Sequence, residues 1–305
     1  MMKEYIFFNG DFVESQKAVV SVRSHAFLYG TSVFEGIRAY YNKEDGQMYI
    51  FRMKEHFERL LQSAKIMLMT SPYSIEDLQN QVKELIKKNN YKCDVYIRPT
   101  LYKSSNKISP GLDDTKDDYF VFTTPFGDYY DMTKGLDLCV SGWRRTSDNA
   151  IPPRAKIAGA YANAALINTD AHNAGFDDAV VLSESGQVTE GSAMNLMFVK
   201  NGKLITTNTT DDILVGVTRN TIIELAEDIG IEVVERAVDR SELYIMDEIF
   251  VCGTGAQITP VSSIDKRIIG SGKMGKITTS LQKLYFDVVK GKVAKYKQWC
   301  AAVYD

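Results

Sequence analysis

The chain is 305 residues long, 45% hydrophobic and 25% charged, with a formal net charge of −3 at pH 7. That length supports two domains or one large one with a substantial core, and the composition is ordinary for a soluble globular protein. So small a net charge aims no strong field at nucleic acid or at a membrane. The four cysteines, Cys93, Cys139, Cys252 and Cys300, are scattered without a C-x-x-C pair, and the only histidines are His25, His56 and His172. Neither a disulfide framework nor a metal site is expected from that set.

The start, Met1-Met-Lys-Glu-Tyr5, runs straight into a strand pattern without a signal-peptide core. No apolar run approaches membrane-spanning length, so a cytoplasmic protein is expected. Tyr5–Phe8, Asn9-Gly10 and Asp11–Val13 read as a hairpin, because Asn-Gly favours the two-residue turn. Ala18–Val22 reads as another β-like run. The stretch Ser24–Arg38, with two glycines and Phe27, Tyr29, Phe34 and Ile37, leads into a strand at Ile37–Tyr41 whose partner is Gln47–Phe51.

Two helices follow. One carries Phe57, Leu60, Leu61, Ala64 and Leu68 on a single face. The next starts at a Ser74-x-x-Asp77 cap and carries Leu78, Val82, Leu85 and Ile86. Strands at Asp94–Leu101 and Tyr119–Thr124 flank the polar, turn-rich segment Tyr102–Asp118, which reads as a loop over a site. Pro125-Phe-Gly-Asp-Tyr-Tyr-Asp131 marks a change of character. The boundaries predicted are a small α/β domain at 1–124, a linker at 125–136 and a larger domain at 137–305.

In the second half, strand Leu136–Ser141 precedes Ile151-Pro-Pro-Arg-Ala-Lys-Ile-Ala-Gly-Ala-Tyr161. A helix from about Gly159 to Asn173 ends at Gly175. Strands are expected at Ala179–Leu182, Leu196–Val199, Leu204–Thr206, Glu232–Val234 and Ile249–Cys252. A helix is expected at Thr218–Ile229 and an amphipathic one along Ile277, Leu281, Leu284 and Val288. Lys290, Lys292, Lys295 and Lys297 read as the wet face of a terminal element. Hairpin-linked strands mixed with helices predict an α/β protein with antiparallel or mixed sheets rather than a doubly wound fold. No G-x-G-x-x-G or G-x-x-x-x-G-K-[ST] motif is present.

Lys156 follows two prolines and precedes Ile157-Ala-Gly-Ala160. Taken alone, such a lysine is more often a solvated surface residue. Held among small apolar neighbours, it would be a desolvated, nucleophilic amine able to form a Schiff base. Gly216-Val-Thr218 opens a helix and so offers amides to an anion, or is simply a capped start. Gly253-Thr-Gly-Ala-Gln-Ile-Thr-Pro260 is a glycine-bearing turn after a strand, with the same two readings. Glu190, read as lying between two strands, is either solvent-facing or the partner of a cationic ring nitrogen. Arg52 begins the turn into the first long helix, as a surface residue or a phosphate ligand. Tyr96 and Arg98 share one strand face by the two-residue period, which suits carboxylate recognition or plain stacking.

Six segments in one order carry a resemblance. They are Tyr29-Gly-Thr-Ser-Val-Phe-Glu-Gly-Ile-Arg38, Tyr96-Ile-Arg-Pro99, Lys156, Glu190-Gly-Ser-x-x-Asn195, Leu214-x-Gly-Val-Thr-Arg219 and Gly253-Thr-Gly-Ala-x-Ile-Thr-Pro-Val261. Over nearly the whole chain, the sequence resembles branched-chain amino-acid aminotransferases of the fold-type IV group of pyridoxal-phosphate enzymes. The resemblance implies a small α/β domain plus a larger pseudo-barrel-like domain, with pyridoxal 5′-phosphate between them.

The same resemblance assigns roles. Lys156 carries the cofactor and moves the substrate proton. Glu190 takes the pyridine nitrogen and Tyr161 the ring hydroxyl oxygen. Leu214 packs on the ring, and Arg52, Val217, Thr218 and Thr254 hold the phosphate. Thr254 and Gly255, with Tyr96 and Arg98, receive the substrate α-carboxylate. Tyr29, Phe34, Phe126 and Tyr129 form the aromatic wall, in part across a dimer. Ala193 and Met194 stand where many members carry Gly and Glu.

Transamination of leucine, isoleucine or valine with 2-oxoglutarate is therefore expected, from a homodimer or higher homo-oligomer. Its partners are small molecules, not nucleic acid or membrane. D-amino-acid or (R)-amine transamination, or aminodeoxychorismate lyase chemistry, shares Lys156 and Glu190 on this fold. The Tyr96-Ile-Arg98 strand and the Gly253–Ala256 turn favour the branched-chain reading. A non-enzymatic binding module would instead be colourless.

Overall fold

The structure, a computed structural model, describes residues 4–304. The first three residues of the chain start, read above as lacking a signal-peptide core, lie outside the described residues, as does Asp305. The chain divides into two compact units. The first comprises Met1–Gly127, Ala155–Gly159 and Asp287–Asp305, and the second Asp128–Arg154 and Ala160–Phe286.

In the first unit, among the described residues, eight strands form one antiparallel sheet. Its order is Cys300–Ala302, Gln47–Phe51, Ile37–Asn42, Val95–Lys103, Asp117–Pro125, Tyr5–Phe8 and Asp11–Glu14. Ser32–Phe34 also pairs with Val95–Lys103. Asn9 (φ 49°) and Gly10 (φ 107°) make the two-residue turn that Asn-Gly predicts. Two helices pack on each other beside this sheet, Met53–Ile66 and Ile75–Asn89. The second has the full capping box, with Ser74 and Asp77 satisfying each other's backbone N–H. It buries the expected Leu78, Val82, Leu85 and Ile86.

The second unit holds a mixed sheet of nine strands among the described residues. The order is Val188–Gly191, Asp178–Leu182, Leu136–Arg144, Gln257–Ile264, Glu248–Gly253, Asn195–Lys200, Lys203–Thr206 and Val233–Glu235, with Arg267–Ile268 on Gln257–Ile264. Leu136–Arg144 runs parallel to both its neighbours, and Lys203–Thr206 runs parallel to Val233–Glu235. Apolar side chains of this sheet, among them Leu138, Val180, Leu196, Phe198, Ile249 and Val251, form the core. Helix Tyr161–Asn173 covers the opposite face of Asp178–Leu182 through Ile167 and Ala171, against Ala179 and Val181. Helix Val217–Asp228 packs against Glu248–Gly253. The α/β class and the antiparallel and mixed sheets agree with the sequence reading.

Several local expectations need correction. Ala18–Val22 is not a strand; Val19 and Val22 are each 72% exposed, and nothing pairs with the segment among the described residues. Helix Met53–Ile66 stops before Leu68, which adopts φ 49° and is exposed. The buried face is Met53, His56, Phe57, Leu60, Ser63 and Ala64, so two polar side chains occupy core positions. Glu190 lies inside a strand rather than between two. Gly253–Pro260 is only briefly a turn, because Gln257–Ile264 is a buried strand. In the final helix, Lys276–Val289, the buried residues include Leu281, Tyr285 and Val288, while Leu284 is only half-buried. All four cysteines are free. Burial pushes the Cys252 thiol up to about 12 and that of Cys300 up to about 11, which suits inert core thiols.

Candidate active site

Lys156 belongs to the first unit, in the segment Ala155–Gly159. Its backbone is held on both sides. Its carbonyl accepts the N–H of Phe34 at 3.1 Å, and its own N–H is donated to Ser63 Oγ at 3.1 Å. Ile157 bridges to Val33. Gly159 donates to the Gly30 carbonyl at 3.1 Å, and a Cβ on Gly30 would lie 2.7 Å from the Gly159 Cα. Two glycines are needed here because two backbones pass too closely for any side chain, and Gly30 has φ 68°. The Lys156 side chain is half-buried, with Nζ 5.0 Å from the centre of the Phe34 ring. It is neither the solvated surface lysine of the simplest reading nor sealed from solvent.

Around Phe34 the structure gathers four of the expected substrate residues. The Arg98 guanidinium sits 4.5 Å over the Phe34 ring and donates to the Tyr96 hydroxyl through Nε at 3.0 Å and Nη2 at 2.6 Å. The Tyr96 and Phe126 rings are 5.3 Å apart. Arg38, not among the expected residues, lies 5.1 Å from the Phe126 ring centre and donates to the Phe126 and Gly127 carbonyls. A Cβ on Gly36 would meet the Tyr96 hydroxyl at 2.8 Å, so this glycine makes room for the pair. An amine, a guanidinium, a phenol and two apolar rings suit an α-amino acid, the guanidinium for its carboxylate and the rings for its side chain.

Tyr29 stands apart from that cluster. It is 39% exposed, its hydroxyl donates to the Ile108 carbonyl, and its ring packs on His25. His25 bonds Thr31 and the Ser109 carbonyl, so the short helix His25–Tyr29 ties down the loop after Lys103.

Arg52 and Arg59 have different partners. Arg52 has φ 49°, its guanidinium is stacked 3.5 Å over the Trp299 ring, and it pairs with Glu55 at 2.8 Å. Arg59 lies two turns on, on the face that carries Ser63. It grips Glu35 with two bonds of 2.7 Å, and His56 Nδ1 meets the same carboxylate at 2.7 Å. Burial alone would raise the Glu35 carboxyl, but the Arg59 charge and the bonds from Arg59 and His56 hold it well below the usual carboxylate range. Burial pushes the His56 imidazole down despite Glu35, with the Arg59 and Lys156 charges acting the same way. His56 is thus a neutral ring donating Nδ1–H to an acceptor-only carboxylate. Sequence reading missed this trio. The available signal was a His and an Arg at helix positions that share the face of Leu60 and Ser63.

In the second unit, Glu190 is 3% exposed, within Val188–Gly191. That strand slips by one residue against Asp178–Leu182 between Val188 and Gly191, a bulge of the kind that re-aims a side chain. Arg145 meets Glu190 Oε1 at 2.5 Å, while Asn195 Nδ2 and the Leu214 N–H donate to Oε2 at 3.1 and 3.2 Å. Asn195 also donates to the Leu214 carbonyl at 2.9 Å and sits opposite Cys252 in the sheet. Ala193 is exposed and lacks the positive φ that would call for glycine. The local turn closes through the Gly191 N–H on the Met194 carbonyl, and Met194 joins the core.

Helix Val217–Asp228 begins at Gly216 without a side-chain cap and with no acidic residue in its first turn, although Val217 and Thr218 are buried. Such a start presents amides to an anion. Thr254 and Gly255 form the turn between Glu248–Gly253 and Gln257–Ile264, where a Cβ on Gly255 would meet open space. Tyr161 is the first residue of helix Tyr161–Asn173. Tyr129 is 58% exposed and stacks edge-on against Tyr130. No cluster of three or more His, Cys, Asp or Glu side chains suited to a metal occurs among the described residues.

Residues 32–264 match the family model described as amino-transferase class IV. A probable branched-chain-amino-acid aminotransferase of Aquifex aeolicus is 46% identical over 303 residues, covering 99% of this chain and 97% of that relative. The crystal structure of a branched-chain aminotransferase from Thermoproteus uzoniensis with norvaline superposes with a TM-score of 0.95 at 39% identity, over 99% of this chain and 100% of that one. Another branched-chain amino acid aminotransferase structure, that of the T.th. enzyme complexed with N-(5′-phosphopyridoxyl)-L-glutamate, gives 0.94 at 38% identity, with both chains fully covered. With the motifs, the two mixed α/β units and these likenesses in agreement, the chain belongs to the class IV amino-transferase family.

Proposed function

We propose that this protein is a pyridoxal-phosphate-dependent branched-chain amino-acid aminotransferase. It transfers the amino group of L-leucine, L-isoleucine or L-valine to 2-oxoglutarate, giving branched 2-oxo acids and glutamate. The observation that carries this reading is the Phe34 ring, whose centre lies 5.0 Å from the Lys156 amine and 4.5 Å from the Arg98 guanidinium that binds Tyr96. An amine and a guanidinium around one apolar ring support a reacting group and a carboxylate receiver in one site. The neighbour holding a phosphopyridoxyl adduct of glutamate supports both the cofactor and the acceptor.

The residues fit the cofactor. Gly216 begins a buried, uncapped helix start, and a Cβ there would lie 2.0 Å from Asn195 Oδ1, so only glycine fits beside that side chain. Val217, Thr218 and Thr254 are the proposed phosphate group, Tyr161 the ring-hydroxyl partner, Leu214 the ring-face contact and Glu190 the ring-nitrogen partner. Arg52 and Arg59 are the proposed cationic members; the Arg52 guanidinium also stacks on Trp299 and pairs with Glu55, and that of Arg59 pairs with Glu35. When bound, pyridoxal phosphate supplies a carbonyl that condenses with amines and a ring that withdraws electrons from the substrate Cα. Lys156 would take the Cα proton as a base and, as the acid, give it up to the cofactor carbon that receives the amino group. Arg145, Asn195 and the Leu214 amide keep Glu190 oriented. Arg98 and Tyr96, with the Thr254 and Gly255 amides, receive the α-carboxylate, and Phe34 and Phe126 exclude water from the substrate side chain.

Tyr29 and Tyr129 complete the aromatic wall in a homodimer or larger homo-oligomer. The exposed apolar side chains of Val19, Val22, Phe27, Leu28 and Ile108 support such an assembly. The free thiols fit a cytoplasmic protein. A panel of both enantiomers of several amino acids, run with several oxo acids, tests the reading. L-leucine, L-isoleucine and L-valine should be preferred substrates, and a clear preference for D-alanine would overturn the proposal. A visible band that borohydride abolishes and that Lys156→Ala lacks separates the enzyme from a non-catalytic binder.

A further inference from the structure

Lys156 is not placed by its own chain segment. Ala155–Gly159 contains no α-helix or strand of its own, and Lys156 depends on two separate supports. One is the end of strand Ser32–Phe34, whose Phe34 N–H binds the Lys156 carbonyl and whose Phe34 ring lies under Nζ. The other is helix Met53–Ile66, whose Ser63 Oγ accepts the Lys156 N–H while donating to the Arg59 carbonyl at 2.9 Å. One buried carboxylate ties these two supports to each other. Glu35 is the residue after Phe34 and is wholly buried. It takes both Arg59 bonds and the His56 bond from the helix, while its own N–H is donated to the Pro99 carbonyl of the adjacent strand at 3.0 Å.

The proposed reaction does not itself need that carboxylate. A buried ion pair is a poor device for stability alone, because the desolvation of both ions offsets most of their attraction. It is a good device for direction. A guanidinium held by two parallel bonds can approach the carboxylate in one plane only, so it fixes distance and angle together. Two helical turns separate Arg52 from Arg59, and one further turn reaches Ser63. A rotation of the helix about its axis would therefore move Ser63, and the Lys156 N–H with it.

We infer that Glu35, through Arg59 and His56, is a positioning residue that locks the Phe34 strand end and the Ser63 helix into the one arrangement that aims the Lys156 amine. The inference rests on the proposed role of Lys156. It predicts that loosening the strut slows every step that uses the Lys156 amine and leaves substrate recognition by Arg98 and Tyr96 nearly untouched.

The test uses full-length protein with pyridoxal phosphate added after its removal, and reads the growth of the borohydride-sensitive visible band by stopped flow. The variants are Glu35→Gln, Glu35→Asp and Ser63→Ala. If the wild type forms no such band, the proposed function fails and this inference with it. With the wild type competent, Glu35→Gln should form the band at least tenfold more slowly. Its kcat should fall by a similar factor, with KM for L-leucine within about twofold. Glu35→Asp, which keeps the charge but shortens the reach, should recover part of the rate. Glu35→Gln leaves a half-buried arginine without its counter-charge and can fail to fold. Ser63→Ala covers that case: it removes one polar atom, and should slow band formation several-fold in a protein with wild-type circular dichroism. Wild-type rates in Ser63→Ala, or a Glu35→Gln protein that is merely less heat-stable with unchanged band kinetics, would overturn the inference.

Discussion

The Oδ1 atom of Asn195 occupies the space that a side chain on Gly216 would need: a Cβ built there lies 2.0 Å from it. One asparagine thereby joins three parts of the second unit. Its amide holds Glu190, its Nδ2 also fixes the Leu214 carbonyl, and its Oδ1 abuts the start of helix Val217–Asp228. Gly216→Ala forces one of these apart. Overpacking of this kind costs roughly 1–3 kcal/mol. Because the strain falls on the helix start, pyridoxal-phosphate affinity should drop more than stability does. Equilibrium dialysis alongside urea unfolding checks this.

Replacing Lys156 with alanine removes the proposed proton carrier without disturbing its backbone bonds to Phe34 and Ser63. The variant should fold normally and lose activity by about 10³-fold or more, the size of a general acid–base contribution. Added methylamine or ethylamine should restore a fraction of the rate. A variant with more than a tenth of wild-type activity would remove Lys156 from the reaction.

Gly30→Ala meets two obstacles at once, a left-handed backbone at φ 68° and a contact of 2.7 Å with Gly159 Cα. We expect a loss of about 2–4 kcal/mol in stability and, because Gly159 lies three residues from Lys156, weaker cofactor binding. Gly175→Ala, at φ 78° but with open space around it, is the control. It should cost only about 1 kcal/mol and leave cofactor binding alone.

Acid should destabilise the first unit in two stages. His56 has a lowered pKa in the folded chain, so below the ordinary histidine value of about 6.5 the unfolded state binds the extra proton and stability falls as pH falls. Glu35, also lowered, adds its loss as pH drops below the ordinary carboxylate range. Urea midpoints measured from pH 7.5 to 4 should therefore decline steadily. In His56→Asn the part of the decline between pH 7 and 5.5 should be absent. A midpoint that is flat or rises on acidification would contradict the assignment of a neutral His56 beside an ionised Glu35.

Lys103 is 2% exposed, and its ammonium meets Asp117 at 2.9 Å and the Leu68 carbonyl at 2.6 Å, at the base of the loop 104–116. Asp117→Ala leaves that charge buried without its ionic partner, which costs roughly 3–5 kcal/mol. Differential scanning calorimetry should show the fall, and pairing the change with Lys103→Met should recover most of it.

Much of this architecture is legible from local patterns. The Ser74–Asp77 capping box, the Asn9-Gly10 turn and the helix ending before Gly175 all have short-range physical causes, and all stand where the sequence places them. What could not be read depends on distant partners. Ala18–Val22 has strand-forming residues but no neighbour to pair with among the described residues. Gln257–Ile264 hides behind Pro260, which is tolerated because pairing with Leu136–Arg144 starts only at Val261. Among the candidate site residues, Arg98 and Lys156 both lie against the Phe34 ring, and Tyr96 joins Arg98 to Phe126. From its position after a strand, Arg52 reads as a surface residue or a phosphate ligand. Only the fold shows its guanidinium stacked on Trp299, and Arg59 beside Glu35.

The composition of the first unit bears on how the protein is made. Its sheet begins at Tyr5, yet it needs Ala155–Gly159 from mid-chain, Trp299 for Arg52 and the edge strand Cys300–Ala302. A ribosome delivers these parts in order, so the unit started first is completed last, after the whole of the second unit has emerged. Until then the outer side of Gln47–Phe51 is an open sheet edge. The final residues thus act as a closing latch, and stop codons placed just before Trp299 should send the nascent protein to chaperones or aggregates rather than yield a slightly shorter enzyme.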